Sequence, residues 1–225
     1  MVRVTIKFNR DPFVFMLKYT HMIKNKTITL SSLILAFIAI TLLAMNNNIF
    51  VNSLDNTVHA WIASHQNISF YNLMLSITNI CDVYGTIIIY LVFGLFLVLK
   101  DKKSFYIFTI ATSSGVILTQ VVKHLVQRVR PYNILEQGPG FPSAHATIAV
   151  IFLISSIVLL APIIKNRFSK NVFILVASVI FTLVAFSRIY LAVHWTSDVV
   201  AGIILGSICF IFAQIAYCYK KENVL

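Results

Sequence analysis

The chain has 225 residues, of which 59% are hydrophobic and 11% charged, and its mean hydropathy is +0.87. Soluble domains carry about 25% charged residues, so this composition excludes an ordinary water-soluble domain and a disordered chain alike. The net charge of +11 reflects 18 Lys and Arg against seven Asp and Glu, but long apolar runs separate the cations, which points to a membrane protein and away from nucleic acid.

A bilayer core about 30 Å thick is crossed by about 20 apolar residues of helix. Six stretches qualify in chain order: 28–45, 83–99, 104–122, 147–164, 171–186 and 199–217. Runs such as IIIYLVFGLFLVL do not alternate, which argues against a β-barrel. The first stretch follows six cations and has no A-x-A site after it, so it reads as a retained span preceded by a cytoplasmic segment at 1–27. Residues 46–82 contain no Lys or Arg and form the first outer segment. Within it Leu54, Val58, Trp61 and Ile62 share one helical face, predicting an amphipathic helix that lids the bundle or lies on the membrane surface. Gly202 and Gly206 form a G-x-x-x-G in the last span, a helix-packing pattern. Cys81, Cys209 and Cys218 make neither a C-x-x-C pair nor a disulfide framework.

Fourteen of the 18 cations fall in the two terminal segments and in the loops after the second and fourth stretches. The positive-inside rule then predicts an all-α bundle of six spans with both termini cytoplasmic. The other four cations, Lys123, Arg128, Arg130 and Arg188, fall at the opposite, extracytoplasmic end, where His145, His194 and Asp198 also lie. A single arginine at a helix end snorkels to the interface; this whole set has spacings that suggest a site. Lys123 and Arg130 are seven residues apart, one face of a helix that Pro131 would end. Two cations on one face repel unless an anion lies between them, and Arg is suited to phosphate. Arg128 is expected to point elsewhere, as a surface residue. Pro142-Ser143-Ala144-His145 opens the fourth span, with Ser143 as N-cap and an anion-binding helix terminus behind it. His145 is placed there to protonate a leaving oxygen. His194 and Asp198 are i and i+4, so the carboxylate would hold one ring nitrogen and leave the other free to attack.

Lys123-x6-Arg130-Pro131, then Pro142-Ser143-Ala144-His145, then Ser187-Arg188-x5-His194-x3-Asp198 resembles the pattern of the type-2 phosphatidic acid phosphatase family of integral membrane lipid phosphatases. The resemblance covers a catalytic motif region at 123–198 within one membrane domain, 1–225. It implies a phosphatase that needs no metal or other cofactor and works through a phosphohistidine. His194 would be the nucleophile, Asp198 its orienting partner and His145 the general acid. Lys123, Arg130, Ser143, Ala144 and Arg188 would line the phosphoryl site. Ala144 departs from the family's usual Gly: its added methyl crowds the phosphate and disfavours a positive φ, but in the first helical turn φ is negative and the N–H can still bind, so reduced or altered activity is expected at worst.

The implied substrate is a lipid phosphate or pyrophosphate, such as undecaprenyl pyrophosphate, phosphatidylglycerol phosphate or phosphatidic acid, met at the outer face of a bacterial inner membrane. Membrane lipids are the other expected contacts, and oligomeric state stays open. Two alternatives remain at this level: a lipid-phosphate binding or transport protein without turnover, and a vanadate-dependent haloperoxidase, which six apolar spans disfavour.

Overall fold

The computed structural model describes residues 12–131 and 135–222. Residues 1–11 of the expected cytoplasmic segment, 132–134 of the loop before the fourth span and 223–225 of the tail lie outside the described residues. Eight α-helices follow one another: α1 (Pro12–Met45), α2 (Ile49–Ser64), α3 (Ile68–Ile80), α4 (Val83–Lys100), α5 (Lys102–Val126), α6 (Ala144–Ser155), α7 (Arg167–Tyr190) and α8 (Thr196–Glu222), with no strand among the described residues. Six stretches are long and apolar enough to cross a membrane: Ile23–Met45, Val83–Lys100, Lys102–Val126, Ala144–Ile163, Arg167–Tyr190 and Thr196–Tyr219. Each contains or closely matches an expected span.

The helices outrun the apolar patterns because polar caps set their ends. Asp101 accepts from the N–H groups of Lys103 and Ser104, Asn166 from that of Ser169, and Ser143 from that of Ala146. The fourth span changes character partway. After α6 it passes through a π turn at Ser156–Leu160 and a 3-10 turn at Ala161–Ile163. Pro162 lacks an N–H and its ring clashes with the preceding turn, so regular α geometry gives way just before it.

Segment 46–82 differs from expectation. It forms two helices, α2 and α3, rather than one. The buried face of α2 is Val51, Asp55 and Ile62, with Val58 beside it, whereas Leu54 and Trp61 are 46% and 58% exposed. The apolar pattern misplaced the face because Asp55 is drawn inward by an ion pair. Ile62 and Met74 pack on Tyr190, Leu191 and Val193, and Tyr190 accepts a hydrogen bond from the Asn67 N–H at 3.1 Å. Both helices are thereby held on the end of α7.

The transmembrane core joins α4, α5, α6 and α8 through Leu97, Phe108, Ile151, Phe152, Leu205 and Phe210. Phe108 and Phe152 meet edge to face at 5.1 Å. Helices in lipid associate by close packing, which favours small residues at their contacts. Gly202 and Gly206 supply that contact between α8 and α6. A Cβ at Gly202 would stand 2.6 Å from the Ser143 carbonyl oxygen, and one at Gly206 2.5 Å from that of Thr147. The glycine pair therefore sets how closely the start of α6, which carries Ser143 and His145, approaches the start of α8, which carries Asp198.

Candidate active site

One end of the bundle collects the C-terminal ends of α5 and α7, the N-terminal ends of α6 and α8, and the helices α2 and α3. Helix α5 stops at Val126, because Gln127 takes a left-handed φ of 51° and donates its N–H to the Lys123 carbonyl at 3.0 Å. Residues 128–130 run on without helical structure. In extended chain, side chains two apart share a face. Arg128 and Arg130 accordingly both turn inward, while Val129 is 78% exposed. This corrects the sequence reading twice. Lys123 and Arg130 are brought together by a loop and not by one helical face. Arg128 is not a surface residue: its guanidinium, largely but not fully buried, lies between two carboxylates, Asp55 at 2.8 Å and Asp198 at 2.7 Å.

The expected site residues converge here. Lys123 Nζ donates to the Pro139 carbonyl at 2.9 Å. Arg130 donates through Nε to the Gly138 carbonyl at 3.0 Å, and through Nη1 to the Val193 carbonyl at 2.9 Å and to Nε2 of His194 at 3.0 Å. Ser143 caps α6, and its own N–H donates to the Asp198 carbonyl at 3.0 Å, stitching α6 to α8. Ala144 is the first residue of α6 and lies outside the left-handed region, so the methyl needs no strained backbone. His145 follows it, within electrostatic reach of Arg188, Glu136, Lys123 and Arg130.

His194 lies in the turn between α7 and α8, not on a helix with Asp198 as the spacing suggested. After Tyr190 the chain reverses through Ala192 at φ 55°, a left-handed conformation that costs an L-residue about 1 kcal/mol. The N–H groups of Val193 and His194 both return to the Arg188 carbonyl, at 3.2 and 3.1 Å. Asp198 is the third residue of α8, and its Oδ2 accepts the Trp195 N–H at 3.0 Å, the reciprocal half of a capping box. The same oxygen faces Nδ1 of His194 at 3.5 Å. A Cβ at Gly140 would stand 3.0 Å from this carboxylate oxygen, so a larger residue there would press on Asp198. Burial holds the His194 imidazole well below its ordinary pKa, and the charges of Arg130, Arg188 and Lys123 push the same way.

Arg188 is buried, hydrogen-bonds Thr78 of α3 and pairs with Glu136. Its Nε has no hydrogen-bond partner among the described residues. Glu136 also pairs with Arg130 at 2.7 Å. Burial raises the Glu136 carboxyl, but Arg188 and Arg130 outweigh it and hold the group below its ordinary value. Glu136, Arg128, Asp55 and Thr78 were absent from the expected site. The available signal was isolation: Asp55 is one of two acids in an otherwise uncharged segment, and Glu136 is the single acid of its loop. Among the described residues no three of His, Cys, Asp and Glu gather as metal ligands.

Beside His145 opens an apolar slot of about 370 Å³ between α4, α5, α6 and α7. Ile87, Val116, Ile148, Phe152, Phe181 and Val184 line it. From His145 to Phe152 it follows about 10 Å of α6.

The chain resembles proteins of known kind. It is 35% identical over 115 residues to an undecaprenyl-diphosphatase of Sulfolobus acidocaldarius, covering 45% of this chain and 50% of that one. It is 32% identical over 108 residues to phosphatidylglycerophosphatase B of Bacillus subtilis, covering 44% and 50%. The chain thus spans about half the length of the curated relatives it matches. The crystal structure of a transmembrane PAP2-type phosphatidylglycerolphosphate phosphatase from Bacillus subtilis superimposes with a TM-score of 0.71 at 23% identity, over 86% of this chain and 96% of that one, a likeness of fold. Residues 102–223, which carry Lys123 through Asp198, match the model of the PAP2 superfamily, and the chain belongs to that superfamily.

Proposed function

We propose that the protein is a membrane-embedded phosphatase that hydrolyses a lipid phosphate or pyrophosphate through a phosphohistidine on His194. The observation that carries this reading is the meeting of Arg130 and Arg188 on one carboxylate, that of Glu136, with Arg130 also touching Nε2 of His194. Two buried guanidinium groups that grip an acidic side chain form a cradle for a phosphoryl group, and the nucleophilic nitrogen stands at its edge.

The chemistry follows from the residues. Nε2 of His194 attacks phosphorus in line, and the bond from phosphorus to the lipid oxygen breaks. His145 gives its proton to that leaving oxygen. Lys123, Arg130, Arg188 and the Ser143 end of α6 hold the phosphoryl oxygens as charge moves onto them. The phosphorylated ring keeps its Nδ1 proton, and the Asp198 carboxylate stabilises the resulting imidazolium. Water, deprotonated by His145, then attacks phosphorus, releases inorganic phosphate and restores the neutral imidazole.

The slot beside His145 suits a lipid tail that stays in the apolar phase while the headgroup enters the cradle. The relatives are named for undecaprenyl diphosphate and phosphatidylglycerophosphate, which supports those two lipids as first candidates. The excess of Lys and Arg in the terminal segments and alternate loops supports cytoplasmic termini and a site on the outer face of the cell membrane.

Phosphate release from a panel of lipid phosphates and pyrophosphates in detergent tests the proposal, with His194→Asn as control. Release by the wild type alone is expected. Release that persists in His194→Asn overturns the covalent step. Lipid binding without release by the wild type makes the protein a binder.

A further inference from the structure

We infer that Arg128 and Asp55 form a positioning pair that acts on the reaction through Asp198 and ties helix α2 to the reactive histidine. This rests on the reading of His194 as nucleophile.

The guanidinium of Arg128 forks. Nη1 donates to Asp198 Oδ1 at 2.7 Å and to Ser197 Oγ at 2.6 Å, and Nη2 donates to Asp55 Oδ2 at 2.8 Å. Asp55 closes the ring, accepting the Ser197 N–H at 2.9 Å and the Ser197 hydroxyl at 2.6 Å. Asp55, Ser197 and Asp198 are all buried. The Arg128 guanidinium also lies over the Trp195 ring, 5.8 Å from its centroid.

Arg128 binds Oδ1 of Asp198, and it is the other oxygen, Oδ2, that faces His194. Arg128 therefore does a different job from Arg130 and Arg188, which face Glu136. The torsion that turns a carboxylate is soft and roughly two-fold. Here it is held at both ends, Oδ1 by Arg128 and Oδ2 by the Trp195 N–H, so that Oδ2 faces Nδ1 of His194. Arg128 is also the cation that both buried carboxylates share. Without it two acids lie close together in a dry site, and a shared proton neutralises one of them. A rotated or protonated Asp198 no longer stabilises the imidazolium formed when His194 takes the phosphoryl group. Asp55 sets where the guanidinium lies, and it does so from α2, 143 positions away from Asp198 in sequence. The consequence falls on turnover, because neither Arg128 nor Asp55 touches the cradle that holds substrate.

The test is a double-mutant cycle read as phosphate release from one lipid phosphate, with Arg128→Ala, Arg128→Lys and Asp55→Asn made alone and with Asp198→Asn. Arg128→Ala is expected to lower kcat about 100-fold with KM within about threefold, and Arg128→Lys to recover about tenfold of that loss. Asp55→Asn keeps its shape and can still accept the Ser197 N–H while its amide group replaces the oxygen that faces Arg128, so it guards against a misfolded Arg128→Ala, and it is expected to lower kcat about tenfold. In the Asp198→Asn background, Arg128→Ala is expected to cost nothing further. Three results overturn the proposal: a loss carried by KM, which makes Arg128 a substrate ligand; an equal loss with and without Asp198, which makes its role structural; or full activity in both Arg128→Ala and Asp55→Asn. A wild type without turnover overturns the reading of His194 instead, and the link to it.

Discussion

Arg130 donates a hydrogen bond from Nη1 to Nε2 of His194 across 3.0 Å. That contact makes Nε2 the acceptor and leaves the ring proton on Nδ1, toward Asp198. In the proposed mechanism the attacking nitrogen is thus presented to the cation that would hold the phosphoryl oxygen. Burial first, and then Arg130 and Arg188, lower the His194 pKa well below 6.5. As the proposed nucleophile the ring must be neutral, so a lowered value would keep it active into acid. The acid limb of kcat/KM against pH, the loss that comes from protonating this ring, is expected to lie below the ordinary histidine value. A decline centred at or above 6.5 would contradict this.

Glu136 occupies the cradle between Arg130 and Arg188, so an anionic substrate competes with it. Glu136→Gln is expected to tighten inhibition by orthovanadate, a mimic of pentacoordinate phosphorus, about three- to tenfold, as an internal competitor populated most of the time requires. The inhibition constant measures this, and a weaker one would show that Glu136 helps to build the cradle.

His145 follows the cap of α6 and borders both the cradle and the slot. If His145 is the general acid proposed above, His145→Asn removes the proton that a lipid alkoxide needs on leaving. In a single turnover, release of the lipid alcohol is expected to slow about 100-fold or more, and release of p-nitrophenol, a leaving group that needs no proton, far less. Equal losses on both substrates would assign His145 to binding.

Val116 lines the slot from α5 and is exposed enough to accept a larger side chain without disturbing the core. Val116→Trp is expected to raise KM about tenfold for a long-chain lipid phosphate, the cost of excluding one or two buried methylenes. It should leave a short water-soluble phosphate ester unaffected. Kinetics with the two substrates measure the difference.

A reporter fused after Leu225 is expected to be cytoplasmic, and a cysteine at His65, in a background without the native thiols, to react with an impermeant reagent from outside. The opposite pattern would move the site to the cytoplasmic face and undo the reading of the loop charges.

What the sequence determines by itself is what local chemistry decides. Six apolar runs of bilayer length must be helices, because a backbone in lipid has to satisfy its own hydrogen bonds. Ser143 caps α6 because its side chain and the N–H it serves are three residues apart. The spacing of Lys123, Arg130, His145, Arg188, His194 and Asp198 marks the site even though the geometry differs from a helical reading: His194 reaches Asp198 from a turn, and Arg130 approaches from a loop. Tertiary structure alone decides the rest. Whether Arg128 faces solvent or Asp198 turns on one residue, Gln127, which ends α5 three positions before Arg130 and converts a helical register into an extended one. The inward face of α2 follows from Asp55 finding Arg128, 73 residues away, since a buried carboxylate must meet a cation and apolar periodicity carries no record of a partner so distant. Glu136 enters the cradle for the same reason. Charges in a dry site are placed by their partners, and those partners are neighbours only once the chain has folded.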